Sequence, residues 1–410
     1  MRDVVISPSE LGGTVKAIPS KSQAHRALIC AALSEKPAIV ECNGTSKDIE
    51  ATIECLSALK KQPCVLNVGE SGSTFRFLLA IVGALGLNAE FVLEGRLPER
   101  PLTPLYEELA RHGCVLSPQG SNPLCISGQL TAGEYTLDGG VSSQFISGLL
   151  FALPLLDGDS LLKLSGKLES APYVDLTVEM LARFGIKSKF ENNAFFIRGN
   201  QSYNPPDSVV KVEGDWSNAA FWLCAGAFSQ NGITCTGLNL QSKQGDRAVL
   251  DVLERFGANI IRGDDFVTVS KGELRGIEID AGDIPDLVPV LSVVGVAASG
   301  LTTIRNAARL RIKESDRLAA VTDVLTVLGA KITEKDDGLE IHGGLKNMHK
   351  ENGGNVRVSS WNDHRIAMSA AIAAAALCSQ PVIIQGSEAV DKSYPTFFDD
   401  LRALSRKGQG

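Results

Sequence analysis

IPDLVPVLSVVGVAASGLTTIRNA, residues 284–307, decides the fold. Its middle, residues 292–298, is apolar or small on every side. A surface helix keeps a polar face, so this one belongs inside, wrapped by other elements. A small or polar cluster precedes it and a β-rich stretch follows. The same order recurs at residues 19–44 (PSKSQAHRALICAALSEKPAIVECNG), 70–95 (ESGSTFRFLLAIVGALGLNAEFVLEG), 141–166 (VSSQFISGLLFALPLLDGDSLLKLSG), 215–238 (DWSNAAFWLCAGAFSQNGITCTGL) and 361–386 (WNDHRIAMSAAIAAAALCSQPVIIQG). Between most of these lies a second, amphipathic helix with a glycine stop: LYEELARHGCVL, LTVEMLARFGIKSKF, VLDVLERFGANII and AVTDVLTVLGAKI. Apolar residues three and four apart followed by Gly predict a helix and its end.

Each unit therefore reads strand, buried helix, strand, outer helix, strand. Six such units, three per domain, fit 410 residues, a length too great for one core. The polar, proline-bearing stretch at residues 201–211 is the expected divide. The plainer alternative is a two-domain α/β protein whose segments share only their glycine stops.

Composition narrows the function. Hydrophobic residues make up 44% and charged residues 21%, which fits a folded soluble protein. A net charge of −7 argues against nucleic-acid binding, since neutralising phosphates needs excess Lys and Arg. The N-terminal sequence shows no signal peptide, and the Ala-rich run at residues 370–378 is far shorter than the ~20 residues of a membrane span. Nine scattered cysteines read as reduced core residues of a cytoplasmic protein. No Cys or His pair has ligand spacing, so neither metal nor cofactor is expected.

Polar residues cluster where the buried helices start, and helix N-termini bind anions. Ser20, Ser142 and Asn362 fit as caps. Lys21, Arg26, Arg76, Arg100, Arg317 and the pair His364–Arg365 do not, because positive charge is unfavourable at that end. Cations placed there point to a substrate carrying phosphate and carboxylate.

SKSQAHRAL, GESGSTFR, LPERPL, VSSQF, ESAPY, DIPD, LRIKESDRL, NDHR and DKSYP occur in the order found in the EPSP (5-enolpyruvylshikimate-3-phosphate) synthases. On these motifs the chain resembles that family from about Gly12 to Phe398; LRIKESDR with NDHR is the specific combination. The resemblance implies an inverse α/β barrel type of fold: two domains, each of three βαβαββ units, residues 20–211 in one and residues 1–19 with 212–410 in the other, with a cleft between them. It implies transfer of the enolpyruvyl group of phosphoenolpyruvate to the 5-hydroxyl of shikimate 3-phosphate, by a monomer acting on small molecules only.

The resemblance also assigns roles. Lys21, Ser22 and Arg26 resemble the first loop, which touches both substrates. Ser142, Ser143, Gln144, Ser170 and Tyr173 correspond to the shikimate 3-phosphate pocket: the serines on the phosphate, Gln144 and Tyr173 on the ring, Arg26 on its carboxylate. Gly72, Arg100, Arg317, Arg365 and Lys392, with Lys21 and Gln144, correspond to the phosphoenolpyruvate site. Asp286, Lys313 and Glu314 fall at the reacting centre. Asp286 is the candidate to orient or deprotonate the 5-hydroxyl, Glu314 the candidate to protonate the methylene, and Lys21 can share the transfers. Glu314 equally reads as the ion-pair partner of Arg317 three residues on. The segment Glu70 to Arg76 departs from the family's Asn-Ala-Gly-Thr-Ala-Met-Arg, and Arg309 stands where an Asn commonly contacts the shikimate phosphate. The nearest enzyme rival, UDP-N-acetylglucosamine enolpyruvyl transferase, carries a reactive loop Cys. Here Cys114 reads as the buried start of a strand. A non-catalytic repeat scaffold binding a polyanion is a third reading, weakened because the charged residues differ from unit to unit.

Overall fold

Side-chain caps start most of the buried helices. The computed structural model describes residues 2–42, 44–61, 63–345, 348 and 356–406. In it Ser20, Ser71, Ser142, Asp215 and Asp363 accept hydrogen bonds from backbone N–H groups of the turns they precede. Such caps satisfy donors that a helix start otherwise leaves bare. One expected cap is corrected. Asn362 lies outside the helix in a left-handed conformation, φ 50°, next to Trp361 at φ 54°, and Asp363 is the cap.

The chain forms two compact units, residues 1–18 with 213–410, and residues 19–212. The second contains α1 (Lys21–Leu33), α2 (Lys47–Ala58), α3 (Gly72–Ala84), α4 (Leu105–Arg111), α5 (Ser143–Ala152) and α6 (Ala171–Arg183). Helices α3 and α5 are buried on almost every side, whereas α6 buries one face, Val174, Thr177, Met180 and Leu181 among it. In its sheets, Cys64–Gly69 runs parallel to Ala89–Leu93, which pairs antiparallel with Leu124–Gly128, itself paired with Cys114–Leu116. Glu134–Asp138, Ser160–Ser165, Ala194–Ile197 and Ser188–Glu191 repeat that order. A helix crosses between the parallel strands, an outer helix follows, and a hairpin returns to the centre.

The other unit repeats the plan with α7 (Trp216–Gly226), α8 (Val249–Phe256), α9 (Val288–Ala297), α10 (Arg317–Val327), α11 (His364–Leu377) and α12 (Phe397–Leu404). Helix α9, at the centre of the opening stretch, is buried from Val288 through Val296. Each fully buried Val or Leu there contributes roughly 1.5–3 kcal/mol. Helix α8 keeps an exposed side, as the spacing of VLDVLERF requires.

Several strands pair far from their sequence neighbours, two such pairings being parallel ones that involve the start of the chain or the end of the unit of residues 19–212. Gly13–Lys16 lies parallel to Ile233–Thr236, and Val209–Lys211 lies parallel to Ile39–Glu41. The stretch read as a polar linker therefore ends in a paired strand, and Tyr203 within it is buried with its hydroxyl donating to Phe151 O.

Helices α3 and α5 touch backbone to backbone. A methyl on Gly148 of α5 would lie 2.6 Å from the carbonyl oxygen of Arg76 on α3. That oxygen belongs to a helix and cannot swing aside. Gly148→Ala is therefore expected to destabilise the protein by about 1–3 kcal/mol, the usual scale of overpacking, read as a lower urea midpoint. An unchanged midpoint would show that the two helices are not in close register.

Candidate active site

In the unit of residues 19–212, cations gather where the buried helices begin. Lys21 is the first residue of α1, and its Nζ lies 2.6 Å from Asp48 Oδ2. The carboxylate at the start of α2 offsets the poor position of a cation on a helix N-terminus. Arg26, one helical turn further on, is buried. It donates to Thr177 Oγ1 at 2.8 Å, Ser22 O at 2.7 Å and Tyr173 O at 2.7 Å, tying α1 to α6. Burial lowers its pKa to about 10, which leaves it charged at neutral pH. Its neighbour His25 is held well below its ordinary value by burial, then by Lys21 and Arg26. His25 Nδ1 meets Thr52 Oγ1 at 2.7 Å, and Thr52 and Thr74 continue the contact to Ser71, the cap of α3.

Gly72 opens α3. A methyl there would lie 2.8 Å from Arg76 Nη1 and 2.8 Å from Arg100 Nη1. Two guanidinium groups thus flank one helix N-terminus, a strong concentration of positive potential. The φ of Gly72 is not left-handed, so space rather than backbone freedom requires the glycine. Gln144, in the first turn of α5, bonds Arg76 through Oε1 and Ser73 through Nε2. Gly72, Arg100 and Gln144 therefore meet, and Arg76, a cation that the sequence left without a role, joins them. Ser142 caps α5 and Ser143 is its first residue. Ser170 precedes α6 with φ 53°, a strained conformation for serine, and is buried. Tyr173, within the first turn of α6, gives its backbone oxygen to Arg26.

In the other unit one guanidinium organises the polar core. Arg317, the first residue of α10, is 1% exposed. Its Nε donates to Asp363 Oδ2 at 2.7 Å, Nη1 to Asp286 Oδ1 at 2.8 Å and Nη2 to Glu314 Oε2 at 2.7 Å. Arg365 Nη2 donates to the second Asp286 oxygen at 3.0 Å. Burial alone would raise the Asp286 carboxyl, but Arg365, Lys313 and Arg317 together hold it well below the usual carboxylate range. Asp286 is therefore ionised at neutral pH. Lys392 Nζ reaches Asn362 O at 2.6 Å, in the left-handed turn before α11. Glu314 and Arg317 do form the ion pair, but Glu314 precedes the helix that Arg317 begins, so it is not a pair along a helix face. Arg309 donates to Gly282 O at 2.8 Å.

Sequence reasoning passed over Asp363 and Asp246. Asp363 lies in the quoted NDHR, but the cap there is expected at Asn362, so Asp363 receives no role. Asp246, in the turn Gly245–Ala248 before α8, carried no signal at all. Burial first, then the negative charge of Asp286, pushes its carboxyl up to about 6, against the pull of Arg365. A carboxyl with a folded-state pKa above its unfolded value of about 3.9 gains a proton on folding, so stability falls as pH rises between those values. Asp246→Asn removes that cost. Its melting temperature is expected to exceed the wild type's at pH 7.5 and to converge with it near pH 4. A variant that melts lower at pH 7.5 would refute the assignment.

Among the described residues no group of three or more His, Cys, Asp and Glu side chains is arranged to hold a metal ion. No helix among them is long and apolar enough to cross a membrane. Cys114 opens the strand Cys114–Leu116 and is buried, with its thiol pushed up to about 11 by burial, unlike a reactive thiolate.

The 3-phosphoshikimate 1-carboxyvinyltransferase of Clostridium kluyveri is 44% identical over 428 residues, covering 98% of this chain and 97% of that protein. Its namesake in Clostridium acetobutylicum is 46% identical over 431 residues, with 98% and 97% covered. An EPSP synthase structure from Acinetobacter baumannii superposes with a TM-score of 0.78 over 99% of this chain and 98% of that one; at 24% identity the likeness is one of fold. The sequence pattern of the EPSP synthases, 3-phosphoshikimate 1-carboxyvinyltransferases, matches residues 5–401. With that span matched, this chain belongs to the EPSP synthase family.

Proposed function

We propose that this enzyme transfers the enolpyruvyl group of phosphoenolpyruvate to the 5-hydroxyl of shikimate 3-phosphate and releases phosphate, with Asp286 and Glu314 as the proton-handling pair. The observation that carries the reading is the fork of Arg317, which holds Asp286 on one terminal nitrogen and Glu314 on the other. One guanidinium thereby fixes the spacing of two carboxylates that need opposite proton affinities. Asp286, kept ionised by three cations, is a weak base suited to orient the hydroxyl and to pass its proton on to the departing phosphate rather than hold it. Glu314 delivers a proton to the methylene carbon as the hydroxyl oxygen attacks the neighbouring carbon. The tetrahedral intermediate then loses phosphate and a methyl proton, restoring the double bond.

Lys21, Gly72, Arg100, Gln144, Arg317, Arg365 and Lys392 serve the donor. The guanidinium pair beside Gly72 supports this, since planar forks match phosphate oxygens two at a time. Ser22, Arg26, Ser142, Ser143, Ser170 and Tyr173 serve the acceptor with Lys21 and Gln144; Asp286 and Lys313 face its reacting hydroxyl. The buried, strained Ser170 supports that division. Phosphate release from phosphoenolpyruvate is the test. Release with shikimate 3-phosphate and none with UDP-N-acetylglucosamine is expected, and the reverse would overturn the reading.

Glyphosate should compete with phosphoenolpyruvate at the same place. Gly72→Ala puts a methyl against both arginines, which must yield. The expected result is a KM for phosphoenolpyruvate raised several-fold and a larger rise in the inhibition constant of the longer glyphosate. A folded variant with both constants unchanged would show that Gly72 does not line the donor site.

A further inference from the structure

Arg76 occupies the second turn of α3 and is 3% exposed, stacked with its guanidinium carbon 5.5 Å from the Phe145 ring centre. Its Nη1 donates to Gln144 Oε1 at 2.8 Å, and its Nη2 to Pro101 O at 3.3 Å. Arginine has donors and no acceptor, so the end of the Gln144 amide that meets it must be the oxygen. The amide nitrogen is then turned the other way, where it donates to Ser73 Oγ at 2.9 Å in the first turn of α3, beside Gly72. A primary amide nitrogen carries two hydrogens, so one remains for a ligand.

We propose that Arg76 is a positioning residue that fixes the polarity of the Gln144 amide, so that its N–H end rather than its oxygen faces the donor anion beside Gly72. This rests on the donor site proposed above. An amide rotates about its last torsion at little cost, and in the flipped state it would aim an acceptor oxygen at an anionic oxygen. Arg76 forbids that state because the amide hydrogens would then meet guanidinium hydrogens. Selecting one of two orientations before the ligand arrives strengthens binding without a new contact. The arginine also holds the residue that follows Arg100, on the far side of Gly72.

A double-mutant cycle with phosphate release as the readout tests this. Arg76→Met keeps much of the packing over Phe145 and removes every donor. In wild-type background it should raise the KM for phosphoenolpyruvate about 10- to 100-fold, the scale of a charge-assisted hydrogen bond. In a Gln144→Leu background, which has no amide to orient, the same change should cost less than about threefold, because interacting residues are not additive. Arg76→Lys should fall between wild type and Arg76→Met. Gln144→Glu covers the case in which Arg76→Met fails to fold: its carboxylate pairs with Arg76, so it should melt no lower than wild type yet bind phosphoenolpyruvate poorly. Additive effects in the cycle, or a Gln144→Glu enzyme with the wild-type KM, would overturn the proposal. Wild-type turnover in the same assay separates its failure from failure of the proposed function, since an inactive wild type would sink that reading first.

Discussion

Arg317→Ala should cost about 3–5 kcal/mol of stability and abolish turnover. The first figure follows from what is left behind. Asp363 is completely buried and Asp286 and Glu314 are part-buried, at 18% and 21% exposed, so removing the shared guanidinium leaves three negative groups together with less compensation. Breaking a buried pair from one side is strongly destabilising because the remaining charges lose their compensation. Arg365 still reaches Asp286, but Asp363 loses both bonds to Arg317. The loss should depend on pH in a definite direction. In wild type the depressed Asp286 carboxyl contributes stability that is present above about pH 4 and lost as pH falls toward its folded-state value. In the variant that contribution shrinks, because Arg317 is one of the three cations that hold the Asp286 carboxyl down. The stability gap should therefore be constant at neutral pH and narrow as pH falls below about 4. A gap below 1 kcal/mol, or one that widens on acidification, would show that the carboxylates do not depend on Arg317.

Asp286→Asn should lower kcat by roughly 10²- to 10⁴-fold, the usual contribution of a positioned acid or base. The amide has the same size and keeps an oxygen for one of the two arginines, so the fold should survive. The KM for phosphoenolpyruvate should hold or fall, because a negative charge has been taken from beside the proposed site of an anion. Phosphate release against donor concentration gives both constants. A kcat within threefold of wild type would remove Asp286 from the proton transfers.

Local chemistry was legible in the sequence, and long-range pairing was not. Helices α9 and α11 announce themselves because no polar face interrupts them, and the outer helices α6 and α8 because one does. Helices α2 and α12 end in no glycine stop, the signal that marks the other outer helices. The cations misplaced on helix N-termini signalled a site. Their neutralising carboxylates did not, since Asp48 lies on α2, a helix the sequence pattern does not signal, and Asp363 stands beside the Asn362 that the sequence offers as a cap. Asp363 meets Arg317 across 46 positions of chain, and no periodicity links them. Gly72 shows the same limit at closer range. A glycine at a helix start suggests backbone freedom, whereas the structure assigns it to the room that Arg76 and Arg100 need.

The exchanged strands bear on how the molecule is made. A ribosome delivers Gly13–Lys16 early, but its partner Ile233–Thr236 emerges only after the whole of residues 19–212. At about 5–20 residues per second, that first strand waits on the order of ten seconds or more with its hydrogen-bonding edge unmatched. Within the unit of residues 19–212, Ile39–Glu41 waits nearly as long, but its partner Val209–Lys211 is the unit's last strand and completes that unit when it is released. Synthesis thus presents a finished body flanked by an unsatisfied leading segment, the period in which a nascent chain is most exposed to pairing with its neighbours.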